Sequence, residues 1–328
     1  MLCREVAADM AVFTRLERSD VEAFLAHYAL GELGALQAIS EGIENTNFFV
    51  DTVSPEGDSR RWVLTVFETL DSDELPYFCH LTRFLEGAGF SVPAPVLTGS
   101  GQAWGELKGK PAILVPCLSG KSCTHTEVSH CREIGAWLAH LHLAQTGFGE
   151  SRPLVRDLDW VQQQASILAD RMPKKDAERL TVHVRRYEQY QNDLLACPQG
   201  TVHGDLFRDN VLFEAGRISG VIDFYHACDA TLLFDLAVVA NDWAVDASGR
   251  HDPERLYALE QSYQDIRPWT DAEHKAWAAC LELAALRFWI SRLASWYLPG
   301  YQQRTESGDA LKDPDEMKAI LAQLVPLE

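Results

Sequence analysis

The chain reads as an α+β protein of two lobes, a smaller N-terminal lobe built on an antiparallel sheet over residues 1–116 and a larger, mainly helical C-terminal lobe over residues 117–328. Two patterns predict this division. Before residue 116, short runs rich in Phe and Val are separated by turn formers; beyond it, apolar residues recur at i, i+3, i+4 and i+7. The size agrees: 328 residues, 47% apolar and 23% charged, are enough for one large domain or two modest ones and resemble neither a disordered nor a fibrous chain.

Residues 18–28 read as a short helix opened by Ser19 or Asp20, whose Val21, Phe24 and Leu25 pack on the sheet. Strands follow over residues 35–53, with a turn at 40–47, and over residues 61–68, the two separated by Ser54-Pro55-Glu56-Gly57-Asp58. Leu75, Phe78, Leu81 and Leu85 place a helix over residues 73–88, with Asp71, Ser72 and Asp73 available to cap it. Residues 104–107 and 112–116 pair as a hairpin around Lys108-Gly109-Lys110, and the first lobe ends near Pro116. Ile134, Trp137, Leu138 and Leu141 then form one helical stripe. Further helices fall over residues 160–171, 177–195 and 234–243, and a late one runs through Leu286, Trp289, Ile290 and Leu293.

Net charge narrows the class of partner. At −19, most of the surface would repel a phosphate backbone or an anionic membrane, so a small substrate fits better than nucleic acid or lipid. No apolar run is long enough to span a bilayer, and Arg4, Glu5 and Asp9 stand where a signal peptide needs apolar residues. The eight cysteines show neither C-x-x-C nor zinc spacing and read as reduced thiols of a cytoplasmic protein. The sequence leaves the oligomeric state open.

The chemistry concentrates in one segment. His203-Gly204-Asp205-Leu206-Phe207-Arg208-Asp209-Asn210 sets an Asp and an Asn five positions apart, and the strand-like Val211-Leu212-Phe213 and Gly220-Val221-Ile222 then deliver Asp223. This is the pattern of a phosphoryl-transfer loop joined by a hairpin to a metal-binding carboxylate. An acceptor hydroxyl must shed a proton as it attacks phosphorus, and Asp205 suits the base. Mg²⁺ prefers oxygen ligands, and Asn210 and Asp223 supply them. His203 reads as a brace for the backbone, Asp235 as a holder of the loop through backbone amides or as a helix cap, and Arg208 as a phosphate contact or a solvated cation.

HGDLFRDNVLF followed by GVIDFYHACDATLLFDLAVVANDW resembles the aminoglycoside phosphotransferase and choline kinase superfamily, which has a protein-kinase-like fold. More narrowly, EGIENTNFFV, VLTVFE, DELPYFCHL, ALRFWISRL and KDPDE resemble the bacterial homoserine kinases built on that fold. The resemblance spans residues 41–316 and implies an upstream extension over residues 1–9. It implies transfer of the γ-phosphoryl group of ATP, with Mg²⁺, to the hydroxyl of L-homoserine in threonine biosynthesis. Choline, an aminoglycoside or a methylthio sugar remain alternative acceptors, and an inactive nucleotide-binding module is the alternative of another class.

The same resemblance nominates Gly42, Asn45, Thr46 and Asn47 as a phosphate-covering turn. It places adenine against the link between lobes, at Val115, Pro116 and Leu118, with Leu212 and Ile222 beneath. Thr65 stands where kinases carry a phosphate-pairing lysine, a departure shared with the V-L-T of the homoserine kinases it resembles. For the acceptor it nominates Asp229, Asn241 and Asp242 near the ammonium and Arg287 and Arg292 near the carboxylate. Trp243, Trp289 and Trp296 read as core or, for choline, as an aromatic box.

Overall fold

Alternation of apolar and polar residues along three consecutive strands builds the first of two units. The computed structural model describes residues 14–39, 45–298 and 312–325. Of these, residues 14–39, 45–83 and 93–117 form one unit, and residues 84–92, 118–298 and 312–325 the other. The first holds α1 (Arg18–Leu25), β1 (Glu32–Ile39), β2 (Asn45–Val53), β3 (Ser59–Phe67), most of α2 (Leu75–Gly87), β4 (Gly105–Leu107) and β5 (Lys110–Pro116). Its strands form one antiparallel sheet in the order β1-β2-β3-β5-β4. Phe48, Val50, Trp62, Leu64, Val66, Ala112 and Leu114 point to one face and bury Val21, Phe24, Leu25 and Tyr28 from α1 and the turn after it. A capping box between Glu17 and Asp20 starts α1, which ends three residues before the expected residue 28.

The turn expected at residues 40–47 is shorter at its far end. Asn45, Thr46 and Asn47 already belong to β2, in register with Phe67, Val66 and Thr65, because cross-strand pairing continues as long as β3 offers a partner. Gly42 lies in residues 40–44, outside the described residues, as does the expected extension over residues 1–9. Between β4 and β5, Lys108 (φ 52°) and Gly109 (φ 78°) both take the left-handed conformation of a two-residue hairpin turn, so Lys110 is already paired with Leu107.

The second unit contains the helices α3 (Val128–Ala144), α4 (Leu158–Ala169), α5 (Lys174–Leu195), α6 (Leu232–Trp243), α7 (Pro253–Gln264), α8 (Asp271–Tyr297) and α9 (Pro314–Leu324). Its strands are β6 (Lys121–Ser122), β7 (Gln199–Val202), β8 (Val211–Glu214), β9 (Arg217–Val221) and β10 (Cys228–Thr231). β6, β8 and β9 form one antiparallel sheet, and β7 pairs with β10. Ser91 extends the edge of β9, accepting the Val221 N–H at 3.0 Å and donating its hydroxyl to Ser219 O at 2.6 Å. Every residue of α6 is buried, which makes it the central helix of the unit. The periodic stripe at residues 286–293 is the middle of α8, a helix that starts at a Thr270–Glu273 capping box. Trp243 and Trp289 are fully buried core residues and Trp296 is 45% exposed, so the three build no aromatic box. Among the described residues no helix is long and apolar enough to cross a membrane, and seven cysteines are free thiols.

Helices α3 and α7 pack closely at Gly135, where an added Cβ would stand 2.5 Å from Leu259 O and 2.3 Å from Ser262 Oγ. Backbone cannot yield as a flexible side chain can. Gly135→Ala should therefore destabilise the chain by about 1–3 kcal/mol through overpacking, against a helix-propensity gain of about 1 kcal/mol. A lowered urea midpoint checks this; an unchanged or raised one would show that α7 moves away freely.

Candidate active site

The segment from His203 to Asp223 leaves β7, makes a buried loop, and returns as the β8–β9 hairpin. Gly204 turns the loop at φ 79°, and a Cβ there would meet His226 O at 2.7 Å, so only glycine fits. Such a turn leaves consecutive backbone N–H groups facing inward, and Asp235, in the first turn of α6, meets both. Its Oδ2 accepts from His203 N at 2.6 Å and its Oδ1 from Gly204 N at 2.8 Å. Asp235 is fully buried; its hydrogen bonds and the neighbouring histidines outweigh burial and hold its carboxyl below the usual range.

A chain of side chains orients Asp235 from behind. The buried Glu273 takes an ion pair from Arg267 at 2.7 Å, and Arg267 donates to Tyr263 Oη at 3.2 Å. Arginine only donates, so the tyrosine proton goes to His142 Nδ1, 2.7 Å away, and His142 Nε2–H faces Asp235 Oδ2 at 3.4 Å. Burial depresses the pKa of His142, which favours this neutral form.

His203 ties the two halves of the segment together. Its Nδ1 accepts from Asp205 N at 3.3 Å and its Nε2–H donates to Ile222 O at 3.0 Å, while Ile222 N–H donates to Asn210 O at 2.9 Å. Both polar groups of the Ile222 backbone are thereby anchored, one to each end of the loop. Asp223 follows in the left-handed conformation, φ 65° and ψ 58°, which a non-glycine residue adopts at a cost of about 1–3 kcal/mol. Burial lowers the pKa of His203, consistent with a neutral ring in a structural position.

Asn210 Nδ2 donates to Asp205 O at 2.8 Å and to Asp205 Oδ2 at 3.2 Å, which orients its Oδ1 away from these bonds. Burial first, and then the nearby Asp223 carboxylate, push the Asp205 carboxyl well above the usual range; Lys312 and Arg287 oppose this. The structure thus brings His203, Asp205, Asn210, Asp223 and Asp235 into one site.

The expected acceptor residues separate into two groups. Asn241 is buried and engaged at both ends, donating to Leu281 O at 2.8 Å and facing His251 Nε2 at 3.1 Å. Asp242 accepts from Arg208 N at 2.7 Å and forms an ion pair with the Arg208 guanidinium at 3.0 Å. Arg292 donates to Asp313 O and to Glu316, both at 2.7 Å, pinning the start of α9. These three serve packing and ion pairing here. Asp229 lies in β10 with hydrogen bonds from Ser151 and Thr201, and Arg287 donates to Gly204 O at 2.6 Å.

In the first unit, Asn47 accepts from the Thr65 hydroxyl at 2.8 Å on one face of the sheet. Thr46 points to the other face, where it donates to Glu68 at 2.6 Å, and Lys110 pairs with the same carboxylate. Val115 and Pro116 pair with Val63 and Trp62. In the second unit, Leu118 lies over Gly220, where an added Cβ would come 2.7 Å from Leu118 Cδ1, and Leu212 is the cross-strand partner of Gly220.

Sequence reading missed Lys312 and His142. Lys312 Nζ pairs with Asp209 at 2.7 Å and stands 4.7 Å from the Phe207 ring centre. The charged run 312–316 was its only signal; His142, on the stripe of α3, is indistinguishable in sequence from a core position.

An antiparallel-sheet unit, a helical unit and a loop presenting Asp205, Asn210 and Asp223 define a phosphotransferase of kinase-like fold. Residues 35–272 match the model of the phosphotransferase enzyme family, and the chain belongs to that family. It is 40% identical to a homoserine kinase of Methylobacillus flagellatus, covering 95% of this chain and 94% of that one. With a homoserine kinase of Cupriavidus pinatubonensis it shares 42% identity over 95% of each chain. Among solved structures, an amicoumacin kinase shares the fold at a TM-score of 0.67 and 15% identity, covering 94% of this chain and 92% of that one.

The Asp205 carboxyl yields a pH test. A raised folded-state pKa contributes stability that is present below the ordinary carboxylate value and lost as pH rises through the folded value. Asp205→Asn removes that loss. The variant should melt above the parent at pH 8 in chelator, and the gap should narrow steadily as pH falls toward the ordinary carboxylate value. A gap of constant size would show that ionisation of the buried Asp205 carboxyl is not its source.

Proposed function

We propose that the chain is a homoserine kinase. Asp205 accepts the proton of the L-homoserine hydroxyl as that oxygen attacks the γ-phosphorus of ATP. The bond from this phosphorus to the β-bridging oxygen breaks, and ADP and O-phospho-L-homoserine leave. The observation that carries the reading is 40–42% identity, over about 95% of the chain, to proteins named homoserine kinases. The raised pKa of Asp205 supports its role as base, because a base is most effective when its pKa approaches the working pH.

A divalent cation suits the residues present. Asn210 uses its nitrogen on Asp205, leaving Oδ1 without a protein partner among the described residues, and Asp223 adds a carboxylate. Mg²⁺ commonly takes one or two protein ligands and completes its shell with phosphate and water. Mg²⁺ held by Asn210 and Asp223 would neutralise phosphate charge. The amicoumacin kinase structure contains AMP-PNP and Ca²⁺. With Thr65 in place of lysine, this neutralisation carries more of the burden. For the nucleotide we assign Asn45, Thr46 and Asn47 to phosphate through backbone groups, and Val115, Pro116, Leu118, Leu212 and Ile222 to adenine.

Coupled ADP-release assays with L-homoserine, choline and an aminoglycoside should show turnover with homoserine far above the others. Brisk turnover of another alcohol with none of homoserine would reject the reading. Asp205→Ala should lower kcat on the order of 10²-fold or more. Asn210→Ala and Asp223→Ala should each move the Mg²⁺ titration of activity to higher concentration; unaltered titrations would remove both from metal binding.

A further inference from the structure

Arginines that are partly or wholly buried in the second unit are, with few exceptions, answered by a carboxylate. Arg186 pairs with Glu282, Arg208 with Asp242, Arg267 with Glu273 and Arg292 with Glu316. Arg287, on α8, is only 4% exposed and breaks the pattern. Among the described residues it forms no ion pair, and its Nε has no hydrogen-bond partner. Its guanidinium lies over the rings of Phe234 at 4.5 Å and Phe288 at 4.9 Å and donates to one carbonyl, that of Gly204, next to Asp205. Ring faces and a carbonyl reduce the cost of burying a cation without supplying a counter-charge.

A second arginine approaches the same stretch of α8. Residues 151–157 run beside β10, where Pro153 bridges Asp229 and Arg152 O accepts from Asp229 N at 2.7 Å. This course brings Arg156 Nη1 to Ser291 Oγ at 3.4 Å, one helical turn beyond Arg287. Arg156 also forms no ion pair with a described carboxylate; Asp157, its neighbour, caps α4 instead, accepting from Trp160 N at 3.0 Å. Burial, and then the charge of Arg156, push the Arg287 guanidinium down to about 10, so it stays cationic at neutral pH. Two cations thus lie near each other and beside the loop that carries Asp205, and no described carboxylate is paired to either.

We infer that Arg156 and Arg287 receive the carboxylate of the acceptor, and that this pair selects an amino-acid alcohol over alcohols that lack a carboxylate. The inference rests on the kinase reading above and names the specificity element of the same site. An acceptor carboxylate would meet the hydrogen-bonding capacity left on Arg287, and the planar guanidinium suits two-point recognition of that group. Arg292, already paired with Glu316, is not needed for it.

The test uses the full-length chain with Arg156→Gln, at a half-buried position whose hydrogen bond is to a serine. Loss of a charge-assisted contact should raise the KM for L-homoserine about 10- to 100-fold, with the KM for ATP unchanged. The kcat/KM for 3-aminopropan-1-ol, which is homoserine without its carboxylate, should not move. An unchanged homoserine KM overturns the inference, as does an equal loss with 3-aminopropan-1-ol, which marks a structural role. A raised KM for ATP alone overturns it too, since the pair would then serve donor phosphate. Calorimetry with L-2-aminobutyrate, which has the carboxylate but no hydroxyl, separates this inference from the broader reading. Arg156-dependent binding without turnover of homoserine would keep the carboxylate pocket and reject the homoserine kinase. Turnover of homoserine with binding indifferent to Arg156 would do the reverse.

Discussion

Two consecutive backbone N–H groups at a left-handed glycine have no partner inside a buried loop unless a side chain reaches them, and Asp235 is that side chain. Its two oxygens take the His203 and Gly204 amides, so the direction in which Asp205 leaves the loop follows from where α6 sits. An unmet pair of buried amides would cost about 1–3 kcal/mol for each group. The central, wholly buried position of α6 therefore does more than fill the core: it fixes the acceptor for the loop. His203 then transmits that position to Ile222, and the β8–β9 hairpin returns Asp223 beside Asp205.

Charge in the second unit follows the same economy of placement. The chain carries a net −19, yet cations gather around Asp205: Lys312 and Arg287 both act on its carboxyl, and Arg156 acts on Arg287. Asp205 and Asp223 repel one another, an arrangement that favours a cation between protein and phosphate. The nearby arginines favour an anion. A kinase acting on an amino acid needs both, held apart by the loop backbone, since otherwise each would neutralise the other.

The fold class was legible because it depends on periodicity. Val21, Phe24 and Leu25 on α1 and the alternation of Phe48, Val50 and Thr52 on β2 show which face is buried without any knowledge of its partner. Boundaries were less legible: β2 begins at Asn45 because β3 offers Phe67 and Val66 as partners, a fact that residues 40–47 read alone do not contain. Residues close in sequence, Asp205, Asn210 and Asp223, stood out as a site because one loop and one hairpin carry them. Asn241, Asp242 and Arg292 looked equally available in sequence, and their partners Leu281, Arg208 and Glu316 come from elsewhere in the fold.

By itself, the sequence determined the strand-rich and helix-rich halves, the phosphoryl-transfer pattern and the absence of a lysine at Thr65, all of which reside in short stretches of chain. Tertiary structure decided which charged residues remain unanswered. Arg287 and Arg292 are five residues apart on one helix and equivalent as letters, yet among the described residues Arg292 meets Glu316 while Arg287 meets rings and a carbonyl. Whether a charge is neutralised depends on what distant chain segments bring to it, and no local pattern encodes that.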